Sequence, residues 1–176
     1  MTKLQKLLIV EDNPLDADLI RETLSPGEDA EFEILNVDRL SKAVTLLQEK
    51  EVDVILLDLG LPDSSGIQTI KAMNRLFPHL PIVVITGNDD AQLGIDALKN
   101  GAQDYLVKGL TPPPRFHMIQ VLQYAIQRNE TEKKVRLSER FLRSSLDGLS
   151  AHIAILDCKG CIHTVNKAWE TFGKEN

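Results

Sequence analysis

The sequence predicts an α/β protein built on a five-stranded parallel sheet with helices on both faces. Five short apolar runs recur in the first 109 residues, segments of helical spacing lie between them, and three of the runs contain four consecutive apolar residues. Continuously apolar runs are what strands covered on both faces look like, and strict strand–helix alternation implies a parallel sheet with right-handed crossovers. The first run, Leu-Leu-Ile-Val at 7–10, precedes Asn13 as N-cap and Pro14 at the first helical position, with Leu15, Leu19, Ile20 and Leu24 at helical spacing. A second run at 32–37 leads to a helix opened by Ser41 and carrying Ala43, Val44 and Leu47. The third, at 52–57, precedes Gly66 and a helix marked by Ile67, Ile70 and Met73. Ile-Val-Val-Ile at 82–85 comes next, followed by Leu93, Ala97 and Leu98 and a stop at Asn100-Gly101. The last run, 105–107, is followed by Pro112-Pro113-Pro114, which no strand ladder or helix interior accommodates, and then by a fifth helix.

Composition limits the function classes. The 176 residues are 43% hydrophobic and 26% charged, a globular balance with length for one ordinary core plus an appendage. A net charge of −6 disfavours whole-surface attraction to nucleic acid or anionic lipid. No apolar run approaches a bilayer span and the first residues lack a secretory signal's apolar stretch, so the expected location is cytoplasmic. Charge is uneven: residues 1–109 carry net −9 and residues 110–149 net +3, with the change falling at the proline break.

In an open parallel sheet the ligand site lies beyond the carboxyl ends of the strands. Glu11 and Asp12 follow the first run, Asp58 the third, Thr86-Gly87 the fourth and Lys108 the fifth. Three carboxylates at one sheet edge repel each other unless they share a cation, and oxygen ligands of this kind suit Mg²⁺. A carboxylate beside such a metal, with a lysine and a hydroxyl reaching the same point, is equipped to accept a phosphoryl group, with Asp58 as nucleophile, Thr86 donating a hydrogen bond and Lys108 balancing charge.

Residues 4–109 resemble the receiver domain of bacterial two-component response regulators in four motifs: Leu-Leu-Ile-Val-Glu-Asp-Asn-Pro at 7–14, Val-Ile-Leu-Leu-Asp-Leu-Gly-Leu-Pro-Asp at 54–63, Ile-Thr-Gly at 85–87 and Asp-Tyr-Leu-Val-Lys at 104–108. The resemblance implies a flavodoxin-like, doubly wound sheet of order 2-1-3-4-5. It also implies that Asp58 takes phosphate from a histidine kinase or phosphotransfer protein. Asp12, Asp58 and the Gly60 carbonyl would bind Mg²⁺, Glu11 acting partly through water. Thr86 and Tyr105 would form the switch pair, and Gly60 and Asn88 would tune dephosphorylation. Receivers usually follow the lysine with proline, whereas this chain has Lys108-Gly109. A phosphatase-type hydrolase is disfavoured because Gly60 stands where a second acid is expected two residues after the nucleophile.

Residues 115–149 contain no proline, and no glycine before Gly148. One helix through them would span ~52 Å at ~1.5 Å per residue. Phe116, Ile119, Leu122 and Ile126 form one stripe, and Val135, Leu142 and Leu149 a seven-residue repeat that suits a homodimer. From about Ser144 the chain resembles the opening of a PAS sensory domain, through Ile-Ala-Ile-Leu-Asp at 153–157, a turn at Gly160, Ile-His-Thr-Val-Asn at 162–166 and Lys-Ala-Trp-Glu-Thr-Phe at 167–172. The expected organisation is a receiver at 1–128, a linker helix at 129–149 and an N-terminal PAS fragment at 150–176. Cys158 and Cys161 form a C-x-x-C without a second pair, which reads as a hairpin turn. No helix-turn-helix pattern follows the receiver, so a nucleic-acid partner is not expected.

Overall fold

The structure is a computed structural model that describes residues 4–24, 32–87, 91–109 and 113–175. Two compact units divide the chain, one through Asn129 and the other from Glu130.

In the first unit, β1 (Gln5–Val10), α1 (Pro14–Leu24), β2 (Phe32–Val37), α2 (Leu40–Glu49), β3 (Val54–Asp58), α3 (Ile67–Leu76), α4 (Ala91–Lys99) and α5 (Arg115–Asp147) follow the expected alternation. Between β3 and α3 lies a hairpin of two-residue strands, β4 (Gly60–Leu61) and β5 (Ser64–Ser65). The remaining strands are β6 (Ile82–Gly87) and β7 (Asp104–Lys108). The main sheet runs β2-β1-β3-β6-β7, all pairs parallel, which is the expected 2-1-3-4-5 order once the hairpin is counted.

Alternation along the strands divides the core between two faces. Leu7, Ile9, Leu56, Val83, Ile85 and Leu106 pack with Ile20 and Leu24 of α1 and Met118 and Leu122 of α5. Leu8, Val10, Ile55, Leu57, Ile82 and Val84 pack with Ala43 of α2, Ile70 and Met73 of α3 and Ala97 of α4. The two-sided burial explains why the runs read as continuously apolar.

Local signals were met in most places. Asn13 caps α1, its Oδ1 accepting from the Leu15 N–H at 3.1 Å. The start of α2 differs from the expectation: it begins at Leu40, and its N-cap residue Arg39 makes no side-chain cap. The Asp63 carboxylate, from the β4–β5 hairpin, accepts from the N–H groups of Leu40 and Ser41 at 2.9 Å each. Ser41 is therefore capped from elsewhere in the chain rather than opening the helix itself.

In the second unit, the later part of α5 is followed by an antiparallel pair, β8 (Ala154–Leu156) and β9 (Ile162–Val165), and by α6 (Lys167–Glu175). Asn166, 1% exposed, is its hub. Its Oδ1 accepts from the N–H groups of Ile153 at 3.0 Å and Trp169 at 3.2 Å, the second capping α6. Its Nδ2 lies 2.8–3.2 Å from the carbonyl oxygens of Leu146, Leu149 and Ala151. The hairpin turns at Gly160, whose φ of 82° is the left-handed conformation that glycine adopts without a Cβ penalty. Cys158 and Cys161 are exposed free thiols at this tip, where Asp157 Oδ1 accepts from the N–H groups of Lys159 and Cys161. No described helix is long and apolar enough to cross a membrane.

Candidate functional site

Strand register assembles the site. Val10 pairs with Leu57, Asp58 with Ile85 and Gly87 with Lys108, so Glu11, Asp58, Thr86 and Lys108 reach the carboxyl edge of the sheet within two residues of one another. One ligand oxygen from each of Glu11, Asp12 and Asp58 lies within 4.8 Å of the others. Glu11 is buried, Asp58 half-buried and Asp12 exposed, so the trio opens to solvent on the Asp12 side.

Lys108 crosses the site from β7. Its Nζ donates to Glu11 Oε2 in a short contact, to Asp16 Oδ2 at 3.2 Å and to Asp58 Oδ2 at 3.3 Å. Asp58 Oδ1 accepts from the Leu59 N–H at 2.7 Å, and Glu11 Oε1 from the Asn13 N–H at 3.2 Å. Burial alone would lower the Lys108 pKa, but the Glu11 hydrogen bond and the Asp58 charge outweigh it and hold the ammonium above its ordinary value. Burial pushes the Glu11 carboxyl up, Lys108 draws it back, and the Asp58 charge adds to burial, leaving it raised. The hard oxygen donors and the excess of negative charge fit a divalent cation such as Mg²⁺.

Thr86 is 2% exposed and its Oγ1 has no hydrogen-bond partner among the described residues. A buried hydroxyl left unpaired costs free energy and is a donor in reserve. Tyr105 is half-buried and its ring packs against Gly94 of α4, where an added Cβ would meet Tyr105 Cδ2 at 2.5 Å. Only glycine leaves room for the ring in that position.

The sheet edge thus brings together Glu11, Asp12, Asp58, Thr86 and Lys108. Gly60 opens β4 two residues after Asp58, and a Cβ there would come 3.6 Å from Asp58 Oδ2, an ordinary contact. Asn88 lies outside the described residues. The Lys108–Gly109 peptide is trans, as are all described peptide bonds. Two residues with contacts here carry no motif signal. Asp16 contacts Lys108 from the first turn of α1, and Gly94 seats Tyr105. For Asp16 the signal is positional, since a helix starting at Pro14 beside the sheet edge presents its first turn to the site.

Comparison with known proteins agrees with this geometry. The family described as response regulator receiver domain matches residues 7–120. The regulatory protein LuxO of Vibrio cholerae is 36% identical over 100 residues, 57% of this chain and 21% of that protein. The transcriptional regulatory protein KdpE of Staphylococcus aureus is 37% identical over 103 residues, 58% of this chain and 43% of that protein. A response regulator receiver domain protein from Clostridium thermocellum superposes with a TM-score of 0.63 at 25% identity, covering 73% of this chain and 98% of that one. The chain therefore spans less than half the length of either curated relative.

Proposed function

This chain belongs to the response regulator receiver domain family, and from that premise we propose that Asp58 accepts a phosphoryl group from the phosphohistidine of a histidine kinase or phosphotransfer protein. The observation that carries the assignment to Asp58 is the Lys108 ammonium held between Asp58 and Glu11 at the end of the sheet. An Asp58 carboxylate oxygen forms the new O–P bond as the P–N bond to the donor imidazole breaks, and the electron pair leaves with the imidazole nitrogen. Lys108 meets charge on the transferring oxygens, and Thr86 turns its unpaired hydroxyl to one of them. Bound by Glu11, Asp12, Asp58 and the Gly60 carbonyl, Mg²⁺ would supply further charge neutralisation at those oxygens. Phosphoryl transfer and autodephosphorylation are then this chain's own chemistry, with no separate substrate turned over. Gly60 and Asn88 tune the second step.

The added charge of about −1.5 to −2 draws Thr86 inward and biases Tyr105 between two positions, one of them its seat on Gly94. The state passes along α5, with residues 1–128 as receiver, 129–149 as linker helix and 150–176 as the opening of a PAS sensory module. The test is intact mass after incubation with Mg²⁺ and acetyl phosphate, beside Asp58→Ala and a metal-free control. The expected result is one added phosphoryl group, absent from both controls; no addition under any condition overturns the reading.

A second reading, a phosphorylation-independent interaction and dimerisation module, is favoured by the exposure of Val135, Leu142 and Leu149, each at least half exposed at a seven-residue spacing. Sedimentation that gives a dimer whether or not Asp58 is intact would support it.

A further inference from the structure

Resting on the phosphoacceptor reading, we propose that Asp16 is a positioning residue for Lys108, holding the ammonium aimed at Asp58 while the other partners of that ammonium are drawn to the transferred group. A lysine ammonium has three N–H donors, and Lys108 has three carboxylate partners: Glu11, Asp16 and Asp58. Glu11 and Asp58 belong to the trio of mutually close carboxylates, but Asp16 does not. When a cation and a phosphoryl group engage that trio, Asp16 is the acceptor whose claim on Lys108 does not change. Without it the ammonium is a point charge on a flexible four-carbon stem, with its remaining partners turned to other tasks.

The surroundings suit an anchor better than an incidental surface pair. Asp16 is fixed in the first turn of α1, whose start is set by Asn13 and Pro14, and it meets a residue 92 positions away. The two side chains border a cavity of about 30 Å³ walled by Leu19, Ile20, Ile85 and Pro113. The Lys108 side chain is 19% exposed and that of Asp16 37%. A pair sheltered in this way is screened less than one on an open surface.

The test compares wild type, Asp16→Ala and Asp16→Asn in two ways. With saturating acetyl phosphate, Asp16→Ala should lower the maximal phosphorylation rate about tenfold, since small misplacements of a catalytic group have effects of that order. The Mg²⁺ concentration giving half the maximal rate should stay within about twofold, because Asp16 lies outside the carboxylate trio. Asp16→Asn keeps an oxygen acceptor in place and should recover part of the rate. With Mg²⁺ at saturation to engage Glu11 and Asp58, the Lys108 ζ-ammonium should give a slowly exchanging nitrogen-15 NMR signal in wild type that is lost in Asp16→Ala. A merely structural role for Asp16 would move neither the rate at saturation nor that signal. An Asp16→Ala protein with wild-type rate, or with an unchanged ammonium signal, overturns the assignment. Should wild type take up no phosphate, the phosphoacceptor reading fails, while the ammonium signal still decides whether Asp16 anchors Lys108.

Discussion

Every buried apolar side chain among the described residues lies in the unit ending at Asn129, whereas from Glu130 onward the one buried described side chain is the amide of Asn166. The first unit thus draws its stability from aliphatic burial on two sheet faces, and no single contact defines it. In the second, one amide gathers the end of α5, the β8–β9 hairpin and the start of α6 through hydrogen bonds. Hydrogen bonds fix geometry well and contribute modestly to net stability, so the second unit is well specified but only weakly stabilised.

The contrast predicts separable failures. Leu56→Ala, at a fully buried central-strand position, should cost the first unit about 4 kcal/mol in denaturant unfolding. Fluorescence of Trp169, the only tryptophan, should report an unaltered second unit at low denaturant; a Trp169 transition that moves with Leu56→Ala would break the comparison. Asn166→Ala is the reciprocal change. Loss of the cap and of the partners of buried backbone groups should cost about 2–3 kcal/mol and shift the Trp169 transition. Phosphoryl uptake at Asp58 should remain.

Gly94→Ala probes a packed contact inside the first unit. The added methyl collides with the Tyr105 ring and should cost about 1–2 kcal/mol, and Tyr105→Ala in the same chain should recover most of it. No recovery would mean that Gly94 matters for another reason. The smallest expected effect is at Asp63, the first unit's own long-range cap. Asp63→Ala should cost about 0.5 kcal/mol, discounted because the group is exposed. Burial pushes the Asp63 carboxyl up, but the N–H groups of Ser41 and Leu40 more than offset this and leave it below 3.8. A depressed carboxylate pKa stabilises the fold above the unfolded value and ceases to do so as pH falls through the folded value. The gap between Asp63→Ala and wild type should therefore be full at neutral pH and close as pH falls through the lowered carboxyl pKa, as chemical denaturation at a series of acidic pH values would show.

What the sequence made legible follows the range of the forces involved. Leu-Leu-Ile-Val, Val-Ile-Leu-Leu and Ile-Val-Val-Ile announce buried parallel strands because two-sided burial is written locally, and the residues after each run mark the sheet edge. Asp58, Thr86 and Lys108 are legible in this way as residues at the sheet edge. Asp63 capping a helix more than twenty residues earlier was not, since nothing near Ser41 reports a donor pair satisfied from a distant hairpin. The two-residue strands of that hairpin are too short for any periodicity to reveal. Asp16 carries no local signal of its role, because a first-turn acid is ordinarily explained by the helix dipole. Asn166 carried a motif signal, but its hydrogen-bond partners come from segments separated in sequence.

The two faces of the sheet also differ in when they can be completed as the chain leaves the ribosome. The face under α2, α3 and α4 has its last buried contributor at Ala102, whereas the other waits for Met118 through Ile126. At about 5–20 residues per second the delay is roughly one to five seconds. During it Leu7, Ile9, Leu56, Val83 and Ile85 lack the cover that α5 later supplies. The helix that completes this core is the same one that runs on to Asp147.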